Sequence, residues 1–191
     1  MRSAPPVGST ATPPSLSTRD RPRDQARRLR APGRAGVIRL ATRAELPAVV
    51  AITGAAYAAY DGVLDGPPIP VTTDYAPRIA AGEVWLLDDG AGPPAGLVVL
   101  ERHPDHVLIF SVVVAPAHQG RGLGRRLLAW AEAQARAAGL AQVRLYTNAK
   151  MTRNIALYAH CGYHETGRRE NPARPGWVAV DMAKTLDGPD A

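Results

Sequence analysis

The chain has 191 residues, enough for one domain with a sizeable core and too few for two comfortable ones. Its longest apolar run, residues 107–117 with Ser111 as the polar break, is about half the roughly 20 residues a membrane helix needs, which argues against a membrane span. Residues 1–35 hold eight arginines and two aspartates and so carry the whole formal charge of +6. Residues 36–191 balance 15 basic against 15 acidic groups, which gives this part no electrostatic reason to seek nucleic acid.

Residues 1–35 contain six prolines and no aromatic ring, so they cannot bury enough surface to offset their ordering entropy, and we read them as a disordered Arg/Pro-rich tail. The scattered prolines would interrupt the amphipathic helix of a transit peptide, and no apolar stretch of a secretory signal follows Met1. Cys161 is the one cysteine, so neither an intramolecular disulfide nor a multi-cysteine metal site is expected. The default is then a cytoplasmic location.

The folded part is expected over residues 36–186, with a short tail at 187–191. Residues 37–41 read as a first strand. Thr42 and Glu45 then form a capping box that should start a helix with Leu46, Val49, Val50, Ile52 and Ala56 on its apolar face, fraying near Tyr60. Glycines and prolines make residues 61–72 a loop, and Thr73-Asp74 should cap a short helix running to Gly82. Residues 83–88 and 96–101 read as antiparallel strands around a turn, and residues 106–114, rich in β-branched side chains, as a longer central strand. His103, Asp105 and His106 surround Pro104 and belong to the turn before that strand, so no metal site is expected there.

Residues 122–138 predict a strong helix, with Leu123, Leu127, Ala131, Ala135 and Ala138 on one stripe and Gly139 closing it. A strand at 142–147, a helix at 151–160, and closing strands at 163–168 and 177–182 around the loop NPARPG complete an α/β (α+β) order with helices on both faces of a sheet.

The stretch from His118 to Leu128, HQGRGLGRRLL, joins a strand to a helix N-terminus through three glycines and carries Arg121, Arg125 and Arg126. Unpaired amides and the positive end of the helix dipole make such a connection an anion site. No lysine followed by a hydroxyl residue comes after Gly124, which disfavours a P-loop. The third glycine also comes one residue too early for a dinucleotide fingerprint, and no carboxylate follows near residues 144–147.

Residues 119–124, QGRGLG, resemble the Q/R-x-x-G-x-G/A loop of the GNAT-type N-acyltransferase superfamily, preceded by Val114-Ala-Pro116 and followed by NIALY at 154–158 and Gly162-Tyr163, similar to the family's N-x-x-L-Y and G-F/Y ending. The resemblance covers residues 37–186. It implies a single GNAT-like domain with a mixed, mostly antiparallel sheet of six to seven strands, helices on both faces and splayed central strands.

The resemblance further implies an N-acetyltransferase that moves an acetyl group from acetyl-CoA to a primary amine by direct attack. Gln119, Gly120, Arg121, Gly122, Leu123, Gly124 and Arg125 would hold the pyrophosphate. Val112, Val113 and Val114 would pair with pantetheine, and a backbone N–H near Val114 would stabilise the oxyanion. Tyr158 would protonate the leaving thiolate as general acid, and Asn154, one turn earlier, would bond the pantetheine or orient the tyrosine. Asn148 could equally be a turn or cap residue.

Leu108 stands where several members of the family carry a glutamate base, which leaves a water chain, His106 or Glu101 as candidates. Residues 44–77 lack Lys and Arg but contain Glu45, Asp61, Asp65 and Asp74 beside Tyr57, Tyr60 and Tyr75, which suggests a small cationic amine as acceptor. Competing readings are a protein lysine or N-terminal acetyltransferase, and a non-catalytic acyl-CoA-sensing or nucleic-acid-binding module. The expected partner is a small-molecule amine, with no membrane and a homodimer left open.

Overall fold

Seven strands pair into one sheet in the order β1-β2-β3-β4-β5-β7-β6. They are β1 (Val37–Leu40), β2 (Val84–Asp88), β3 (Gly96–Arg102), β4 (Val107–Val114), β5 (Gln142–Asn148), β6 (His164–Asn171) and β7 (Arg174–Thr185). The computed structural model describes residues 36–90, 92–172 and 174–186; the tails expected at 1–35 and 187–191 lie outside them. Every strand pair is antiparallel except β4 with β5, so the sheet is mixed and mostly antiparallel.

Helices α1 (Leu46–Tyr57), α2 (Ile69–Thr72), α3 (Tyr75–Ala80), α4 (Leu123–Ala137) and α5 (Thr152–His160) occupy the connections. The central strands bury both faces, which is why β3 reads as an unbroken apolar run. Val98 and Leu100 share a core with Leu127, Leu128, Ala131 and Ala135 of α4. Leu97 and Val99 point the other way, into a core with Val49 and Ile52 of α1 and Ile79 of α3. The alanine stripe lets α4 lie close to the sheet. A Cβ on Gly96 would sit 2.7 Å from the Val113 carbonyl oxygen and 3.1 Å from Leu127 Cδ1, so only glycine fits beneath that helix.

Helix termini follow their signals. Gly139, at φ 71°, ends α4 in the left-handed conformation, with the Leu140 amide donating to Ala135 O at 2.9 Å. Asp74 caps α3 by accepting from the Ala76 amide at 2.9 Å. The Thr42–Glu45 box first forms a single 3₁₀ turn over Arg43–Glu45, and α1 proper starts at Leu46 with Pro47 in its first turn.

Three details differ from the sequence reading. Val50 is 49% exposed, because the buried face of α1 uses Val49, Ile52 and Thr53, the last donating its hydroxyl to Val49 O at 2.8 Å and so burying without an unmet polar group. The expected loop 61–72 ends in α2. The expected loop after residue 170 shrinks to the tight β6–β7 connection, and β7 outgrows the expected 177–182 because it is paired on both edges, to β5 and to β6.

Glu45 is the hub that ties β1 to the start of α1. Arg39 donates to both of its carboxylate oxygens, at 2.6 and 3.0 Å, and reaches Asp88 of β2 at 2.7 Å, while the Thr42 amide and hydroxyl donate at 2.8 and 2.9 Å. The Arg39 hydrogen bonds hold the Glu45 carboxyl well below its ordinary value, at about 2. A depressed carboxyl stabilises the fold above the unfolded-chain value of about 4.3 and loses that contribution as pH falls toward about 2. Thermal melts should therefore show Glu45→Gln less stable at pH 7 by about 1 kcal/mol, with the difference from the parent shrinking as pH drops through that window.

Candidate functional site

Parallel pairing of β4 with β5 lasts only three residues, Val107 to Ile109 against Val143 to Leu145. There β4 bulges: Val99 faces Ser111 and Leu100 faces Ile109, so Phe110 is the extra residue. A bulge sharpens the local twist, and the strands part beyond it. Val112, Val113 and Val114 keep their register with β3 but, among the described residues, have no strand on their β5 side, while β5 continues with β7. The gap opens into a cleft of about 840 Å³ lined by Val112–Val114, the glycine loop and α5.

The loop presents open space and unpaired amides at a helix start. Gly120 and Gly122 sit at φ 73° and 78°, conformations that an L side chain resists. A Cβ on either would meet nothing within 4 Å, so both face open space. The first backbone bond of α4 runs from the Arg126 amide to Gly122 O at 3.2 Å, which leaves the amides of Leu123, Gly124 and Arg125 without helical acceptors. Together with the helix dipole they define a positive concavity at the end of the open β4 edge. Gly124 lies against α5, 3.6 Å from Leu157 Cδ2 for an added Cβ.

Side chains of the loop divide in purpose. Gln119 donates to Val114 O at 3.2 Å and pins the loop to the strand end. Arg125 lines the cleft. Arg121 does not: its guanidinium pairs with Asp89 at 3.0 Å, beside His118 at 3.2 Å from the same oxygen. Asp89 is mostly covered and takes the nearest cation, so Arg121 contributes its place in the loop and not the anion-facing charge expected of it. Arg126 likewise turns away and donates to Gly36 O.

Tyr158 stands at the bottom of the cleft, 6% exposed and edge-on to Tyr163 at 6.3 Å between ring centroids. Its hydroxyl makes no hydrogen bond among the described residues, and burial, reinforced by neighbouring Tyr57 and Tyr60, pushes the phenol far above its ordinary value. Asn154 projects from the same helix face but does not bond to Tyr158; its Oδ1 accepts from the Tyr60 hydroxyl at 2.9 Å, which leaves the amide nitrogen uncommitted. Asn148 accepts from the Lys150 amide at 2.8 Å and is a turn residue.

On the α1/α3 face the cleft narrows into a second, smaller space of about 50 Å³. Tyr57, Val112, Asn154 and Tyr158 belong to the walls of both, so the opening passes through the sheet where β4 and β5 diverge. Phe110, Tyr146 and Trp177 supply aromatic walls and Ser111 a buried hydroxyl. Burial raises the Tyr57 phenol to about 12.

Of the acidic residues expected to gather here, Glu45 is clamped by Arg39, Asp74 caps α3, and Asp65 pairs with Lys150 at 2.7 Å. Neither Asp61 nor any other carboxylate is among the residues lining the two spaces. Tyr57 and Tyr60 do reach the site, whereas Tyr75 is a core residue that donates to Pro70 O at 2.9 Å.

Neither side chain considered as a base lines the two spaces, although burial raises the Tyr146 phenol and Glu101 is near enough to add to it. Glu101 binds Arg78 at 2.7 Å, and His106 binds Asp105 at 2.7 Å and stacks on His103 at the opposite end of β4. Sequence reasoning did not assign Ser111, Phe110, Tyr146, Trp177, Lys150 or Arg153 to the site; no motif contains them, and they reach the opening from the β4 bulge, from β5, from β7 and from the β5–α5 turn and α5.

The profile of the acetyltransferase (GNAT) family matches residues 58–163. A mycothiol acetyltransferase of Beutenbergia cavernae is 36% identical over 96 residues, which are 45% of this chain and 32% of that protein, so the match spans about a third of its length. Among solved structures, the ribosomal-protein-S18-alanine N-acetyltransferase of Escherichia coli superposes with a TM-score of 0.63 at 26% identity, covering 82% of this chain and 98% of that one. The yncA structure from Salmonella typhimurium, solved with its cofactor acetyl-CoA, gives 0.60 at 26% identity, covering 82% and 96%.

All six tyrosines of the chain have raised phenols, each chiefly through desolvation. A raised acid contributes stability below the unfolded value of about 10 and loses it as pH climbs beyond. Ultraviolet titration should show little tyrosinate near pH 10 in the folded protein. Tyrosinate absorbance should instead appear together with the loss of circular dichroism at higher pH.

Proposed function

This chain belongs to the acetyltransferase (GNAT) family, and we propose that it transfers an acetyl group from acetyl-CoA to a primary amine of a small molecule. The observation that carries this is the continuity of three features: an unpaired β4 edge at Val112–Val114, a cluster of free amides at the start of α4, and a buried phenol between them. Each suits one part of an acyl-CoA. The open space over Gly120 and Gly122 fits a group that brings its own oxygens to the backbone, such as a pyrophosphate. A strand edge without a partner suits the amides of a pantetheine chain, and the cleft is a large one for a chain of this size.

Acetyl-CoA would supply an acyl thioester whose C–S bond breaks as the amine forms a C–N bond. Around it, Gly120, Gly122, Leu123, Gly124 and Arg125 hold the diphosphate, with Arg125 as the side-chain cation. Gln119 keeps the loop on the end of β4, and Arg121 keeps it against the β2–β3 turn through Asp89. The open edge at Val112–Val114 aligns the thioester arm, and a free amide there stabilises charge that develops on the carbonyl oxygen. Asn154, fixed by Tyr60, offers its amide nitrogen to the same arm.

Tyr158 delivers a proton to the departing sulfur. Its raised phenol stays protonated at neutral pH and so holds a proton in place for the sulfur.

The acceptor enters from the α1/α3 face, through the opening where Tyr57 and Tyr158 stand. The carboxylates that would attract a second positive charge on the acceptor are engaged elsewhere, so the amine itself is the feature to be recognised. A cytoplasmic location belongs to the same proposal; among the described residues no helix is long and apolar enough to cross a membrane.

An acceptor-panel assay of CoA thiol release tests the reading, and absence of amine-stimulated release would end it. Tyr158→Phe should lower kcat about 100-fold with little change in the acetyl-CoA Kd. Gly122→Val, whose side chain would enter the anion space and resist the left-handed backbone, should raise that Kd at least about tenfold by calorimetry while circular dichroism still reports a folded protein.

A further inference from the structure

Three observations at the narrow end of the opening concern the protonation state of the acceptor. The first is chemical. No carboxylate lines either space among the described residues, and the one imidazole that does, His118, is paired with Asp89 on the far side of the glycine loop. Glu101 is on the α1/α3 side but is bound by Arg78 at 2.7 Å with His103 at 3.6 Å, and it is not a wall of the slot.

The second is electrostatic. Three of the aromatic walls already carry a guanidinium over the ring: Arg78 over Phe110 at 3.7 Å, Arg169 over Tyr146 at 5.4 Å, and Arg174 over Trp177 at 4.9 Å. Arg78 and Arg169 are balanced by carboxylates, but Arg174 donates to the Pro67 carbonyl and meets no carboxylate among the described residues. One face of each of these rings already holds a protein cation, and a further ammonium in the slot would be desolvated with no carboxylate in the walls to pair with it.

The third is an unmet hydrogen bond. Ser111 Oγ, on the bulge and 4% exposed, forms part of the wall beside the Tyr57 and Tyr75 hydroxyls and completes no hydrogen bond of ordinary geometry among the described residues. A buried hydroxyl without a partner is rare unless a ligand completes it.

We propose that the acceptor is a weakly basic α-amino group next to a carbonyl, bound as the neutral amine between Tyr57, Tyr146 and Trp177, with Ser111 Oγ donating to that carbonyl. This rests on the amine-acetylation reading above and narrows it. An α-amine with a pKa of about 7.7–8.0 is roughly one-quarter neutral near pH 7.4, whereas a lysine-type amine at about 10.4 is neutral in only about one molecule in a thousand. Without a base in the walls, that difference passes directly into the rate. In the transfer the neutral nitrogen forms the C–N bond, the thioester C–S bond breaks, the sulfur takes the Tyr158 proton, the proton lost from nitrogen goes to solvent, and solvent returns one to Tyr158. The α-amine of a small molecule and that of a peptide terminus share this chemistry.

The experiment compares phenylalaninamide, the tripeptide Phe-Gly-Gly and Nα-acetyl-lysine amide as acceptors at saturating acetyl-CoA, from about pH 6.5 to about pH 9.5, below the range where the tyrosines begin to destabilise the fold. Expected is a preference on the order of a hundredfold in kcat/KM for the α-amines near pH 7.4. The α-amine profile should level off near its own pKa, while the lysine profile still climbs tenfold per pH unit. Glu101→Gln should leave both shapes unchanged, and Ser111→Ala should raise the KM of phenylalaninamide without moving the acetyl-CoA Kd.

A better rate with phenylalaninamide than with the tripeptide assigns a small acceptor, and the reverse a peptide terminus. Profiles that bend at one common pH for all acceptors, or that lose their bend in Glu101→Gln, would overturn the proposal in favour of an enzyme base. An unchanged KM in Ser111→Ala would remove Ser111 from it. No release with any amine at any pH would instead defeat the acetyl-transfer reading itself.

Discussion

The parting of β4 from β5 is the constraint on which the rest of the molecule turns. Backbone donors and acceptors inside a protein must be paired, and a strand that loses a neighbour halfway along its length has a row of them to satisfy. Here the loss begins at the Phe110 bulge, with the opposite edge still held by β3 as far as Gly96–Val114. The apolar cores on the two faces hold the strands in place on either side of the opening, so the gap cannot close by sliding. A ligand that brings its own amides is the natural complement to such an edge, and the glycine loop lies where that ligand's charged end would arrive.

Charge is arranged with similar economy. Several ionised side chains near the opening are held by partners: Arg121 by Asp89, Arg78 by Glu83 and Glu101, and Lys150, itself a wall of the cleft, by Asp65. Phenols and amides line the reaction path between them. A path made of neutral groups in a dry setting transmits electrostatic effects strongly, so one positioned proton at Tyr158 matters more than it would in water.

Local signals in the sequence announced the elements well. The alanine stripe of α4, the Asp74 cap and the left-handed Gly139 all act within a few residues and appear where periodicity and capping place them. The loop at Gln119–Arg125 and Tyr158 came from the resemblance to the family's two motifs, and the fold sets Gln119, Arg125 and Tyr158 on the walls of one cleft. Side-chain direction was not legible. Arg121 and Arg125 look alike in the sequence, and only the fold puts Asp89 beside the first. The acidic residues of 44–77 suggested a negative vestibule, but Glu45 answers to Arg39 and Asp65 to Lys150, partners supplied from the neighbouring strand β1 and from the far β5–α5 turn. The slot walls Ser111, Tyr146 and Trp177 come from three strands, and no periodic pattern links them.

The place of β7 in the sheet has a consequence for how the molecule is made. It lies between β5 and β6, both of which precede it in the chain, so β6 has no sheet neighbour and β5 has only β4 until β7 arrives between them. Trp177, a wall of the slot, travels on that strand. During synthesis the first five strands can assemble while the β5 edge stays bare, an adhesive surface that only a late, long-range pairing conceals. Acquisition of a binding site and removal of that hazard are therefore one event, and a nascent chain becomes competent at the moment it becomes safe from its neighbours.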